Sequence, residues 1–160
     1  MRTELRVAAY AVCVRGGRTP GGEILLARWV ARDGVKRWTL PGGGMDHGED
    51  PVDTVVREVA EETGYAAEPV ALLGIDSIRR NWLRRLGGPG DWQGLRIVYE
   101  ARITGGELRY ETDGSTDLAA WHPLDAVPGL DRVELVDIGL QLWRDRPPLG
   151  RSSLSDPANG

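Results

Sequence analysis

The chain reads as an α+β protein in which a central mixed sheet lies between two helices. Three observations predict this. Short runs rich in Val, Ile, Leu and aromatic residues recur between Gly/Pro turns, both before and after residue 50. A capped helical pattern occupies 51–63. A second amphipathic pattern occupies 130–144. At 160 residues the chain suits one domain, placed at 1–146. The Pro/Ser/Gly-rich stretch 147–160 is expected to be a disordered tail.

Taken in order, residues 5–15 form the first strand and 16–22 a Gly/Pro-rich turn. Residues 24–30 form a second strand and 37–40 a short third, leading into a glycine loop at Gly42–Gly44. Asp50 is placed to cap the first helix, Pro51 suits its first position, Asp53 its first turn, and Gly64 closes it. Val52, Val55, Val56 and Val59 form an apolar stripe about 100° wide, suited to docking on a sheet. Residues 67–78 contain the next strand, and 79–94 read as a polar, Gly-rich loop. The clearest strand is 95–103, with Gly105 and Gly106 as a hairpin turn into a strand at 107–111. A strand at 118–122, a helical turn at 123–127 and the second helix complete the order.

Composition narrows the function class. The chain is 41% hydrophobic and 28% charged, with a formal net charge of −4, so no nucleic-acid polymer is expected as partner. Cys13 is the single cysteine, which excludes an internal disulfide, and it reads as a small buried hydrophobe. The apolar run 7–14 is too short to span a membrane, so a cytoplasmic protein is expected, with no membrane partner. Self-assembly, where it occurs, is expected to give a homodimer.

The most informative residues are Glu58, Glu61 and Glu62, which crowd the last two turns of the first helix. That end carries the negative pole of the helix dipole, and Glu58 and Glu62 repel each other at i, i+4. The cluster is wrong for stability on two counts, which suggests an outside cation. On a helical wheel the three acids lie about 140° from the valine stripe, so they are expected to look outward together. Hard oxygen donors suit Mg²⁺ or Mn²⁺. The plain alternatives are a solvated acidic face or a structural calcium cluster.

Gly43, Glu49, Arg57, Glu58, Glu61, Glu62 and Gly64 together resemble the signature of the Nudix hydrolase family, with Leu40-Pro41-Gly42 as its usual lead-in. The resemblance implies an α/β/α sandwich and metal-dependent cleavage of a diphosphate linkage in a nucleoside diphosphate derivative or related phosphoanhydride. It implies Glu61 and Glu62 as metal ligands, Gly42 as a backbone ligand, and Glu58 as ligand or general base. Arg57 and Glu49 then form the pair that holds the loop against the helix. The family often adds a downstream acid, for which Glu111 is favoured here over Asp113 and Asp117. A small-molecule diphosphate is the implied partner and Mg²⁺ (or Mn²⁺) the implied cofactor. The alternative is a catalytically silent nucleotide-binding or regulatory module of the same fold.

Arg79, Arg80, Arg84 and Trp82, with Trp92 nearby, are the candidate substrate residues: arginine for phosphate, tryptophan for a flat ring. The alternative is an exposed loop in a chain where Lys36 is the lone lysine among 20 basic residues. His47 reads as an exposed loop residue, His122 and Trp38 as structural. No auxiliary motif selects a leaving group. Nucleoside triphosphates, nucleotide sugars and non-nucleotide diphosphates all remain candidate substrates.

Overall fold

Alternation along the first strands decides the layers. The computed structural model describes residues 2–18, 21–84, 88–109, 114 and 116–155, without the side chains of 82–84 and 88. Strand β1 (Arg2–Val12) sends Ala9 and Ala11 to one side and Val12 to the other. Strand β3 (Glu23–Val30) does the same with Leu25 against Ile24 and Leu26. Each side is covered by one helix. Helix α1 (Pro51–Thr63) brings Val55 and Val59 to Ala9, Ala11, Cys13 and Leu25. Helix α2 (Glu134–Asp145) brings Leu135, Val136, Leu142 and Trp143 to Val12, Ile24, Leu26 and Val98. Each fully buried Val or Leu contributes about 1.5–3 kcal/mol, so the two cores fix the sandwich.

The strands form two four-stranded sheets. The first is mixed, in the order β5-β1-β7-β6, where β5 is Gly42–Gly44, β6 Tyr65–Arg84 and β7 Gly88–Gly106. In it β1 runs parallel to β7, and β5 and β6 pair antiparallel to their neighbours. The second is antiparallel: β3 pairs with β2 (Val14–Arg15), β4 (Lys36–Thr39) and β8 (Thr116–Pro123). Among the described residues no helix is long and apolar enough to cross a membrane.

The structure corrects several expectations. Gly42–Gly44 is a strand on β1, because the chain must lie flat where Gly42 pairs with Tyr10. Residues 79–84 and 88–94 are not an open loop: β6 and β7 run through them as paired antiparallel strands, with Arg79 opposite Gln93 and Arg80 opposite Trp92. Gly105 and Gly106 are no turn either, since Ala66 and Tyr65 pair with them. Beyond them Glu107, Leu108 and Arg109 form no strand; Arg109 N donates to Thr63 O at 2.9 Å, satisfying a carbonyl at the end of α1. The second helix begins at Glu134 rather than 130, because residues just ahead bind β4: Trp38 N donates to Asp131 O and Val133 N to Trp38 O, both at 2.9 Å.

The C-terminal stretch is also different from expectation. Through Ser155 it is placed on the fold. Ile75 N donates to Gly150 O at 2.8 Å, and Ser152 is buried with its hydroxyl on Gln141. Composition marked it as loose, but specific seats for Gly150 and Ser152 hold it.

Candidate active site

The local sequence builds α1 as expected at its start. Asp50 accepts from Val52 N at 2.9 Å, Pro51 opens the helix, and Thr54 N donates to Asp50 O. Gly64 ends it in the left-handed region at φ 79°, where a Cβ would lie 2.2 Å from Glu107 O. The buried face is rotated from the valine stripe. Val52 and Val56 are exposed, while Thr54, Val55, Val59, Glu62 and Thr63 are buried. Glu62 is thereby turned into the protein, at 5% exposure, and its Oε2 accepts from Gly42 N at 3.3 Å. The three acids therefore do not look outward together: Glu62 is buried, Glu58 nearly so, and Glu61 half-exposed. The valines alone misjudged the face because β5 presses on the helix at Glu58 and Glu62.

Arg57 is the hub. Its guanidinium takes Glu49 in a fork, Nε to Oε2 at 2.8 Å and Nη2 to Oε1 at 2.9 Å. It also donates to Gly44 O at 3.1 Å, Glu58 Oε1 at 2.9 Å and Glu61 Oε2 at 3.4 Å. Glu49 accepts in addition from Thr54 Oγ1 at 2.6 Å and Asp46 N at 3.1 Å. These bonds, led by that from Arg57, pull the Glu49 carboxyl down to about 2. Partial burial works the other way on Glu58 and raises its pKa; Arg57 opposes this and the charge of Glu61 adds to it.

Arg57 alone faces Asp46, Glu49, Glu58 and Glu61, with Glu62 beside them, so its one positive charge is outnumbered. Among the described residues, no three His, Cys, Asp or Glu side chains are arranged around one point as an ion would need. Arg57 draws Glu58 and Glu61 towards itself instead. The surroundings nevertheless fit a hard cation. The donors are carboxylates, and the backbone of β5 lies so close that a Cβ on Gly43 would sit 2.8 Å from Glu58 Oε1. Glycine there keeps the carboxylate edge clear of side chains.

Glu62, Gly42 and Gly43 form one wall of a cleft of about 860 Å³. That is within the range of sites that enclose a small ligand, roughly 300–1,000 Å³. Arg6, Arg37, Arg80, Arg96 and Arg132 line it, with Tyr10, Trp29 and Trp92. Of the candidate substrate residues, Arg80 and Trp92 reach this cleft. Arg79 does not, because Asp91 on the paired strand holds it, Nε to Oδ1 at 2.8 Å. The side chains of Trp82 and Arg84 lie outside the described residues, as do Glu111 and Asp113. Asp117 is engaged by Arg28 and Lys36, each at 2.9 Å, which hold its pKa far below the usual carboxylate range. It is thus a strut between strands rather than a spare ligand. Sequence reasoning passed over Arg6, Tyr10, Trp29 and Arg96. Their signal was present as charged or large polar residues at alternate positions of otherwise apolar strands.

Cys13 is buried and desolvation raises its thiol to about 12, in keeping with a packing role. His47 is exposed, and His122 packs edge-on against Trp38 with ring centres 4.3 Å apart.

Residues 4–139 match the model of the NUDIX domain. The chain belongs to the NUDIX family. Among NUDIX relatives, it is 34% identical over 125 residues to the 8-oxo-dGDP phosphatase NUDT18 of Homo sapiens, covering 74% of this chain and 35% of that protein. It thus spans about a third of the length of that relative. Among solved structures, a MutT NUDIX hydrolase from Burkholderia pseudomallei is 29% identical, with a TM-score of 0.64 over 86% of this chain and 97% of that one. A NUDIX hydrolase from Nitrosomonas europaea aligns with a TM-score of 0.67 at 23% identity, over 88% of each chain, and supports the fold.

Proposed function

We propose that this NUDIX protein is a divalent-metal-dependent pyrophosphohydrolase that cleaves a diphosphate linkage in a nucleoside diphosphate derivative or related phosphoanhydride. One observation carries the reading: the braced acid cluster on α1 opens at Glu62 into a cleft walled by arginines and tryptophans. Glu58, Glu61 and Glu62, with the Gly42 carbonyl, would hold Mg²⁺ or Mn²⁺. When bound, the ion would neutralise phosphate oxygens and make water a better nucleophile at neutral pH.

The chain's own residues do the rest. Glu49 and Arg57 tie β5 to α1, so that Glu62 faces the cleft and Glu58 and Glu61 are held beside it on Arg57. Arg80 and Arg96 offer positive charge to phosphate oxygens, and the faces of Trp29 and Trp92 suit a base or another flat group.

The test is a substrate panel with Mg²⁺, Mn²⁺ or chelator. It includes nucleoside diphosphates and triphosphates, nucleotide sugars and, given the relative's name, the oxidised guanine nucleotide 8-oxo-dGDP. Metal-dependent release of phosphate or a nucleotide product is expected from at least one member. Equal rates in chelator, or none at all on any member, would overturn the reading.

A further inference from the structure

A second cavity of about 210 Å³ adjoins the cleft and shares Ile78, Arg80, Arg96 and Glu134 with it. Its wall includes Asp76, which is only 2% exposed, and Ser155 from the C-terminal stretch. Arg96 stands between the two spaces. Its Nε donates to Asp76 Oδ2 at 2.8 Å, and its Nη2 pairs with the same oxygen. The other oxygen of Asp76, Oδ1, accepts from the Ser155 hydroxyl. A buried carboxylate needs such partners, and here one comes from the cleft and the other from the end of the chain.

The seat of the C-terminal stretch is built rather than incidental. Gly74 and Gly150 pass so closely that a Cβ on Gly74 would lie 2.2 Å from Gly150 O. Ser152 is 2% exposed and bonds Gln141 of α2. Gly150, Ser152 and Ser155, which supply these contacts, all lie beyond residue 139, where the NUDIX match ends.

We propose that Asp76 is a positioning residue that aims Arg96 at the anionic substrate, and that residues 150–155 complete it through Ser155. Substrate affinity in this protein therefore depends on a segment outside the family region. The inference rests on the reading of the cleft as a diphosphate site. Its physical basis is preorganisation: an arginine already held in its fork loses less freedom on meeting a phosphate. Without Asp76, Arg96 keeps, among the described residues, Glu134 at 3.6 Å, which would draw the guanidinium towards α2.

Calorimetric binding of α,β-methylene-ADP, a diphosphate that cannot be cleaved at its bridge, tests this on the full chain with Mg²⁺. Arg96→Gln is expected to weaken binding about tenfold or more, Asp76→Asn by a similar factor, and Ser155→Ala by about threefold. The combined Asp76→Asn/Arg96→Gln protein should bind no worse than Arg96→Gln alone, because both changes remove one device. A merely structural Asp76 would lower the melting temperature and leave affinity within about twofold while the protein is folded; that result overturns the proposal. Should Asp76→Asn fail to fold, Ser155→Ala decides: its effect must vanish in the Arg96→Gln background, and persistence there overturns the coupling. No binding by the unaltered chain overturns the proposal as well. Binding without hydrolysis of any diphosphate overturns the hydrolase reading alone.

Discussion

Helices α1 and α2 cover opposite faces of the same sheets and treat their own dipoles in opposite ways. α2 carries Glu134 and Asp137 in its first turn and Arg144 in its last, with Leu142 and Trp143 buried behind. α1 begins equally well, with Asp50 and Asp53, but has no basic residue in its last turn, where Glu61 and Glu62 stand and Glu58 lies just before. It even buries one of these acids. The first arrangement serves stability. The second gives up helix electrostatics at one end only, and that end faces the cleft.

The sharpest way to break this contrast is at the acids. Glu62→Gln or Glu61→Gln should lower turnover by about a hundredfold or more, read as metal-dependent hydrolysis of whichever panel member is cleaved. Wild-type turnover in both proteins would remove these acids from the catalytic machinery. Next in size is the metal itself. Mg²⁺ at about a hundred times its dissociation constant should stabilise the folded chain by about 2.7 kcal/mol, seen as a melting-temperature rise that chelator reverses. Glu62→Gln should lose most of that rise.

Glu49→Gln probes the brace. Its activity should fall about tenfold or more, because the ligands are misplaced. The pH dependence has a definite sign. Glu49 titrates at about 2 in the folded chain against an ordinary 4.5, so its stabilisation is complete above 4.5 and is lost as pH falls towards 2. Melting curves of the two proteins should differ at pH 7 and converge on acidification. A gap that stays constant down to pH 2 would assign the loss to something other than this charge. The smallest effects compare the helix ends directly. In chelator Glu61→Gln should leave stability unchanged or raise it by about 0.5 kcal/mol, whereas Arg144→Gln in α2 should lower it by a similar amount. A clear fall for Glu61→Gln would show that its contact with Arg57 outweighs the dipole.

What was legible in the sequence was local. The bounds of α1 follow from Asp50, Pro51 and Gly64, whose capping chemistry acts within a few residues. The expected Glu49–Arg57 contact needs only the cap and first turns of α1 between its partners, and the structure contains it. What was not legible depends on distant partners. Gly42–Gly44 has no side chains to show alternation, and only pairing with β1 makes it a strand. The arginines and glycines of 79–84 and 88–94 hid two strands that pair with each other, with Asp91 taking Arg79. The burial of Glu62 could not be read from the valines, since it depends on where β5 rests. The C-terminal stretch looked loose by composition, yet Gly74 and Gly150 make room for each other.

The pairing of β1 with β7 bears on how the protein reaches this state. Val7 lies beside Leu95 and Tyr10 beside Val98, in parallel, so a long stretch of chain must be looped out before either pair forms. Such non-local parallel pairing is slow, because closure entropy precedes any reward. The glycine strand rests on β1, and the walls of the cleft come from β1 and β7 alike. During refolding the cleft is therefore completed late, and on the proposed reading hydrolysis should return only with the slowest phase.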